Sequence, residues 1–311
     1  MIRYGVPQGS NLGPLLFLLY INDLASVSPT LFFILFADDT NVFYSNGSWQ
    51  TLIQTVNLEL SSIAAWFQAN KLTLNLDKTN FILFKSHRKI NPSGDLSLFI
   101  NGTPITQVES TKFLGVHIDQ HMTWKVHINQ IAAKIAKNVG ILTRIAYKLP
   151  KEIRINLYYT LIYPYLIYCN LIWASTYESR LHKLVLLQKR AVRIIAGIRK
   201  WEHTGPSFSE LKLLKIHQIK DLQIGEFFFR LEHGLLPPAF KDFLPHASDI
   251  HTHFTRNLAA YRPVKAHSNT RRFTIKSYGT IVWNALPIEI RSSNTLQVFK
   301  KRLRAFLLSS I

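Results

Sequence analysis

Residues 31–45, LFFILFADDTNVFYS, place two adjacent carboxylates, Asp38 and Asp39, between two apolar runs. Carboxylate oxygens are ligands for hard cations such as Mg²⁺, which in proteins usually binds one or two carboxylates plus substrate phosphates. A pair of such ions can clamp the attacking and leaving oxygens of a phosphoryl transfer. Aspartate is also common in tight turns, because its side chain bonds to nearby backbone. Taken alone, the pair fits either a metal site or an ordinary hairpin turn.

A second segment that could contact a ligand lies upstream, at residues 5–17, GVPQGSNLGPLLF. Its glycines let the backbone approach a ligand closely, and Gln8 adds an amide group. The segment continues into an apolar stretch, in which Pro14 is well placed for the first turn of a helix.

These segments resemble the reverse transcriptase domain of non-LTR retrotransposons, the LINE and jockey-like elements. In that family G-x-P-Q-G-S-x-L-G-P-x-L-F is motif B and F/Y-A-D-D is motif C, matched here by residues 36–39. LTLNLDKTNFILF is similar to motif D, with Lys78 in the place of its lysine, and FLGVHID resembles motif E, the primer grip. LQKRAVRIIAG and WNALPIEIRSSNTLQVFKKRLRAFL are similar to the thumb and C-terminal regions, so the resemblance spans essentially the whole chain.

The resemblance implies a role for each matched residue. Asp38 would bind both metal ions, Mg²⁺ or Mn²⁺, and Asp39 would be a supporting acid. Lys78 would donate a proton to the pyrophosphate leaving group, although an ordinary surface lysine remains equally open. The residues expected to contact the nucleotide and template are Pro7, Gln8, Gly9 and Ser10. Those expected in the primer grip are Phe113, Leu114 and Gly115.

The sequence departs from the family at motif A, which supplies the other metal-binding aspartate well before motif B. Here no acid precedes Asp23, which lies at the YIND end of the motif B helix. Two-metal chemistry needs carboxylates from both sides of the ions. We therefore expect an N-terminally truncated reverse transcriptase that is inactive alone and depends on a missing N-terminal polymerase half. The alternative is a non-catalytic nucleic-acid-binding remnant.

The charge of the chain is unevenly distributed. The formal net charge is +19, but residues 1–110 carry 6 Lys/Arg against 7 Asp/Glu, and residues 111–311 carry 31 against 11. Such an excess favours a polyanionic partner, and the resemblance implies an RNA template, a DNA primer and dNTPs. Two amphipathic helices are predicted there, with basic faces that are either solvated surface or binding surface. Their predicted inward stripes are Ile128, Ile131, Ile135, Val139 and Leu142 in the first helix, and Leu184, Leu187, Ala191, Ile194 and Ile198 in the second. The candidate nucleic-acid-binding residues are Lys134, Lys137, Arg144, Lys148, Lys189, Arg190 and Arg193.

The hydrophobic pattern predicts an α+β fold. The resemblance implies that this fold is a partial polymerase palm of antiparallel sheet and helices, followed by a mostly α-helical thumb and C-terminal region. We expect the palm over residues 1–120, a basic helical thumb over 121–235 and a basic C-terminal region over 236–311. Within the palm, a buried helix follows Pro14, a hairpin carries Asp38 and Asp39, and an amphipathic helix begins near Ser48. A strand over KLTLNLDKT, a hairpin at Asn101-Gly102 and a strand over KFLGVHID complete it.

Cysteine and histidine offer weaker signals. The single cysteine, Cys169, excludes an internal disulfide and fits an intracellular protein; the family implies the nucleus or a cytoplasmic ribonucleoprotein. Residues 157–175 are uncharged and read as a buried helix, with a membrane anchor as the minor alternative. A weak zinc candidate is formed by His246, Asp249, His251 and His253.

Overall fold

The computed structural model describes residues 9–86, 97–244 and 261–310, and the chain forms two compact units that divide between Glu109 and Ser110. The first unit contains α1 (Leu12–Ile21), β1 (Phe32–Phe36), β2 (Asp39–Phe43), α2 (Trp49–Ala69), β3 (Asn80–Phe81), β4 (Phe99–Ile100), β5 (Thr103–Pro104) and β6 (Thr106–Gln107). The second contains β7 (Ser110–Phe113), β8 (Val116–Asp119), α3 (Lys125–Ile145), α4 (Lys151–Leu161), α5 (Tyr163–Ile167), α6 (Asn170–Trp173), α7 (Glu178–Ala196), α8 (Gly205–Glu210), α9 (Ile216–Glu232), α10 (Asn269–Arg272), α11 (Thr280–Asn284), α12 (Ile288–Arg291) and α13 (Leu296–Ser309). This mixture of helices and small sheets agrees with the predicted α+β class.

The core of the first unit lies under α2. Ser48 caps this helix by accepting a hydrogen bond from the Thr51 N–H, as the sequence predicts for a helix that begins there. Its buried face carries Leu60, Ile63 and Phe67. The residues that complete the core are Leu24, Leu31, Leu98 and Ile100.

Helix α1 is not the buried helix that its composition predicts. A helix that is apolar all round is normally buried. Here only Ile21 is buried, and five leucines, among them Leu12 and Leu19, are about half to two-thirds exposed. The prediction was wrong because the unit, in its described part, has no element that covers the rest of this helix.

The expected antiparallel palm sheet is replaced, among the described residues, by separate two-stranded ladders. The pairs β1–β2, β4–β5 and β7–β8 are antiparallel, and β3–β6 is parallel. The predicted strand over KLTLNLDKT is also wrong. Its leucines do pack against the core, but Asn75 accepts bonds from the N–H groups of Lys78 and Thr79 and turns the chain before a ladder forms.

The second unit begins earlier than the predicted thumb. The single strand expected over KFLGVHID is the hairpin β7–β8, and it belongs to the second unit because β8 packs on α3. The expected boundary at residue 235 lies inside this unit. Whether these units correspond to palm, thumb and C-terminal region stays a prediction.

The core of the second unit is built on α3 and α7, which pack against each other. The predicted inward stripe of α3 is confirmed, since Ile128, Ile135 and Leu142 are among its buried residues. Residues 157–175, expected as one buried helix, form short helices separated by breaks around Ile162 and at Cys169 (φ 50°). Among the described helices, none is long and apolar enough to cross a membrane.

The last helix, α13, packs on α9 at Gly225, where an added Cβ would lie 2.4 Å from Leu303 Cδ2. Its N-cap is Thr295, whose side chain accepts from the Val298 N–H. Ser293, a residue type that also suits an N-cap, is buried and donates to the Ile290 carbonyl instead.

A buried histidine makes this unit sensitive to acid. Burial, assisted by nearby His117 and Lys134, lowers the pKa of His127 from 6.5 to about 4. His127 is 3% exposed, and its Nδ1 accepts from the His117 N–H at 3.3 Å. The unfolded chain therefore takes up this proton at higher pH than the folded chain. Stability is full above pH 6.5 and falls as the pH drops towards 4, by about 2–3 kcal/mol.

Urea unfolding at pH 7 and pH 4 measures this loss, with His127→Leu as the comparison because it removes the titrating group. The free energy of unfolding of the wild type should fall between these pH values by about 2–3 kcal/mol more than that of the variant. Equal losses in the two proteins would contradict the assignment to His127.

Candidate active site

The hairpin β1–β2 carries both aspartates at its tip. Phe36 pairs with Asp39 across the ladder, so Ala37 and Asp38 are the two turn residues. Ala37 has φ 50°, a conformation that costs a residue with a Cβ on the order of 1 kcal/mol. A positive φ at the first turn position only is typical of a type II′ hairpin turn. Both carboxylates are exposed beside the strand end, as the motif C prediction requires.

The two carboxylates fit a hard divalent cation through the chemistry of their oxygens. Within the described ranges, no three His, Cys, Asp or Glu side chains come together as a metal-binding group. The role of Asp38 and Asp39 as metal ligands stays a prediction. The predicted zinc candidates His246, Asp249, His251 and His253 lie outside the described residues.

The loop before α1 is described only in part, since Pro7 and Gln8 lie outside the described residues. Gly9 has φ 85°, and among the described residues, its chain neighbours apart, no atom lies within 4 Å of the position where a Cβ would stand. The Ser10 side chain accepts from the Leu12 N–H at 3.2 Å and so holds the start of α1. Gly9 is exposed, which leaves its backbone open to a ligand.

Lys78 is exposed in the turn after Asn75 rather than at a strand end. Across the described residues, no ion pair joins its amine to Asp38 or Asp39. Its assignment as a proton donor stays a prediction.

The predicted primer-grip residues form a tight turn between β7 and β8. Phe113 pairs with Val116, and the turn residues Leu114 and Gly115 have φ 44° and 86°. Positive φ at both positions is typical of a type I′ turn, which favours glycine. Tyr168 holds this turn: its hydroxyl donates to the Leu114 carbonyl at 2.6 Å, and a Cβ on Gly115 would lie 3.1 Å from its ring.

Tyr168 was not singled out from the sequence, because it is one of five tyrosines in an apolar run and nothing in that run distinguishes it. The Tyr168→Phe substitution should leave the fold intact and weaken the turn by about 1 kcal/mol, the net value of one hydrogen bond. Hydrogen exchange in the hairpin should then rise about 5-fold. The matched control is Tyr147→Phe, at a tyrosine that is 78% exposed; equal exchange in the two variants would contradict the role of Tyr168.

The predicted basic residues divide between two helices. Lys134, Lys137 and Arg144 on α3, and Lys148 in the turn that follows it, are all exposed. Their exposure fits either reading, solvated or binding surface. On α7, Arg190 is exposed, whereas Lys189 and Arg193 are half-buried.

Comparison with known proteins identifies the class to which this arrangement belongs. Residues 2–118 match the family described as reverse transcriptase (RNA-dependent DNA polymerase). They include Gly9 and Ser10 before α1, the hairpin with Asp38 and Asp39, and the turn at Leu114 and Gly115. This part of the chain belongs to the reverse transcriptase family.

More particularly, the relatives are polymerases of non-LTR retrotransposons, which confirms the resemblance seen in the sequence. The chain is 26% identical over 239 residues to a probable RNA-directed DNA polymerase from transposon X-element of Drosophila melanogaster, covering 74% of this chain and 26% of the relative. It is 25% identical over 225 residues to the RNA-directed DNA polymerase from mobile element jockey of the same species (69% and 24%). It is 30% identical over 149 residues to a Pol polyprotein from the type-1 retrotransposable element R1 of Bradysia coprophila (47% and 15%).

The chain thus spans about a quarter of the length of the X-element and jockey relatives. No solved structure matches it.

Proposed function

We propose that this chain contains motifs B to E, the thumb and the C-terminal region of an RNA-directed DNA polymerase, which adds dNTPs to a primer 3′ end on an RNA template. The observation that carries the proposal is the hairpin tip, where Asp38 and Asp39 stand exposed within the segment that matches the reverse transcriptase family. The X-element and jockey relatives are named as RNA-directed DNA polymerases, which is the same activity.

In this proposal Asp38 and Asp39 hold Mg²⁺ or Mn²⁺, which when bound would supply positive charge to the triphosphate. The open backbone at Gly9 contacts the incoming nucleotide. The Lys78 amine donates a proton to the leaving pyrophosphate. The turn at Leu114 and Gly115, held by Tyr168, positions the primer end.

We propose further that a second polymerase part completes the site. Two-metal chemistry requires a carboxylate from the opposite side of the ions. The apolar surface that such a part would cover is present: the leucines of α1 are exposed, and so are Phe32 (66%) and Phe36 (61%) on β1. Large apolar side chains exposed in this number on one unit are typical of an interaction site. The length of the relatives provides room for such a part.

Primer extension on an RNA template with Mg²⁺ and dNTPs tests the proposal. We expect extension when the chain is joined to an upstream segment that carries the motif A aspartate, and none from these 311 residues alone. Extension by the 311 residues alone would disprove the need for a second part. A joined protein that folds, binds primer and template and extends nothing would disprove the polymerase assignment.

The second candidate function is nucleic-acid binding without catalysis, favoured by the basic residues 111–311. Binding of this kind weakens steeply with salt, because phosphate contacts release counterions. Salt-dependent binding to RNA with no extension in the joined protein would support it. A protein of either kind would act in the nucleus or in a cytoplasmic ribonucleoprotein.

A further inference from the structure

A basic pocket lies at the C-terminal end of α7. It has a volume of about 420 Å³ and is lined by Arg190, Arg193 and Lys200. This volume lies within the usual range for ligand pockets. Like charges that line one concave surface repel one another and attract an anion, so this lining favours a phosphate-bearing ligand.

The loop after α7 is folded back so that it forms one wall of the pocket. Gly197 ends the helix with φ 71°, and the N–H groups of Gly197 and Ile198 both donate to the Arg193 carbonyl. The Arg193 Nε donates to the Glu202 carbonyl at 3.2 Å. The Glu202 carboxylate, the one acidic group of this loop, accepts a hydrogen bond from the Arg199 backbone N–H at 2.8 Å.

The same loop presents an aromatic ring. Trp201 is 77% exposed, and the Arg199 guanidinium lies 5.8 Å from the centre of its ring. An indole in this setting contributes little to the core. It does offer an open face on which a nucleobase can stack, and stacking of this kind accepts every base.

We propose that this pocket and Trp201 form a binding site for single-stranded nucleic acid. Arg190, Arg193 and Lys200 contact a backbone phosphate, and an adjacent base stacks on the Trp201 ring. A single strand is required because the bases of a duplex are already stacked on their neighbours. The inference rests on the proposed nucleic-acid binding of the second unit and assigns it a defined site and ligand class.

Binding of labelled 12-nucleotide oligo(U) and oligo(dT) to the full 311-residue chain tests the base contact. Trp201→Ala should weaken binding of both strands by roughly 5- to 150-fold, the usual value of one stacked base, and Trp201→Phe by less. The matched control is Tyr147→Ala, since Tyr147 is 78% exposed and lies 5.4 Å from the Lys148 amine but does not line the pocket. It should change binding less than about 2-fold.

The interaction with phosphate has a different signature. Arg190→Ala and Lys200→Ala should each reduce the slope of log affinity against log salt by about 0.7 for every phosphate that the variant no longer neutralises. Lys241→Ala, which removes an exposed positive charge outside the pocket lining, should leave the slope unchanged. Trp201→Ala should also leave it unchanged, and its effect should disappear on a 12-nucleotide abasic strand.

Three results would overturn the inference: equal losses for Trp201→Ala and Tyr147→Ala, an equal loss on a 12-base-pair duplex, or polyglutamate competing as well as oligo(U). Failure of the wild-type chain to bind any oligonucleotide would overturn the proposed nucleic-acid binding as well. Intact wild-type binding that is indifferent to the substitutions at Trp201, Arg190 and Lys200 would overturn this site alone.

Discussion

We expect Asp38→Ala to reduce primer extension by more than about 10³-fold in a polymerase assembled from this chain and a segment carrying motif A. Asp38 stands at the tip of the β1–β2 hairpin with its carboxylate exposed, and its proposed role is to hold both metal ions. Without Asp38 the metal ions would not be held in place, and the negative charge of the triphosphate and of the leaving pyrophosphate would lack a fixed positive counter-charge. Because the loss concerns the reacting centre, it should appear in kcat rather than in primer binding.

The fold itself should not change in this variant. The carboxylate makes no hydrogen bond or ion pair that is seen in the described structure, and surface substitutions of this kind usually alter stability by less than about 0.5 kcal/mol. Circular dichroism and thermal unfolding therefore separate a catalytic loss from unfolding. Asp39→Asn should cost less, about 10- to 100-fold, since Asp39 is proposed as the supporting acid.

A matched control is Asp23→Ala, which removes another exposed carboxylate from the same unit. Its extension rate should stay within about 2-fold of the wild type. Extension that survives Asp38→Ala at more than about a tenth of the wild-type rate would contradict the assignment of Asp38 as the metal ligand.

Local signals in the sequence predicted several elements well. The Asn101-Gly102 pair sits at the tip of the β4–β5 hairpin with both φ angles positive, and Ser48 caps α2. These features depend on the backbone preferences of one or two residues, so they can be read without tertiary information. The inward stripe of α3 is similarly clear, because its buried isoleucines and leucine recur at helical spacing; the buried His127 is a polar position that this pattern does not include.

The inward stripe of α7 was predicted only in part. The predicted Leu184 and Ala191 are buried, but Leu187, Ile194 and Ile198 are only partly buried, and Gln188 and Ile195 are buried beside them. The Gln188 amide donates to the Tyr158 hydroxyl and the Leu214 carbonyl, and its oxygen accepts from the Ile216 N–H. Burying a glutamine costs little free energy when its amide makes all its hydrogen bonds in the core. An analysis of hydrophobic periodicity nevertheless assigns such a residue to the surface.

The candidate site was predictable only where one segment contains it. Asp38 and Asp39 are adjacent in the chain, so their meeting at one hairpin tip follows from the local pattern. The contact of Tyr168 with Leu114 joins residues 54 positions apart. The exposure of Trp201 depends on how the loop folds after Gly197. Neither the Tyr168 contact nor the exposure of Trp201 follows from the preferences of neighbouring residues, so neither could be predicted from the sequence.

The largest loss of stability is expected for Asp119→Ala, about 3–4 kcal/mol. Asp119 is 8% exposed and ends β8. Its carboxylate accepts from the N–H groups of His121, Thr123 and Trp124, at 2.9–3.2 Å, and from the Thr123 hydroxyl at 3.1 Å. Removal would take this acceptor away from the half-buried N–H groups at the start of α3, where a negative charge also interacts favourably with the helix dipole.

Asp119→Asn tests the role of the charge, since it keeps the shape and one acceptor oxygen; we expect a smaller loss of about 1–2 kcal/mol. Asp242→Ala, at an exposed aspartate of the same unit, should change the free energy of unfolding by less than about 0.5 kcal/mol. Urea unfolding measures the three values. A loss below about 1 kcal/mol for Asp119→Ala would contradict the capping role.

The consequence should also reach the primer-grip turn, because Asp119 joins the β7–β8 hairpin to the first turn of α3. Hydrogen exchange should accelerate in both elements together in Asp119→Ala, whereas Tyr168→Phe should accelerate exchange in the hairpin alone. If hydrogen exchange in Asp119→Ala rose in α3 but not in the hairpin, Tyr168 would hold the hairpin without help from Asp119. Equal acceleration in both elements would instead show that one carboxylate fixes the turn to the helical unit.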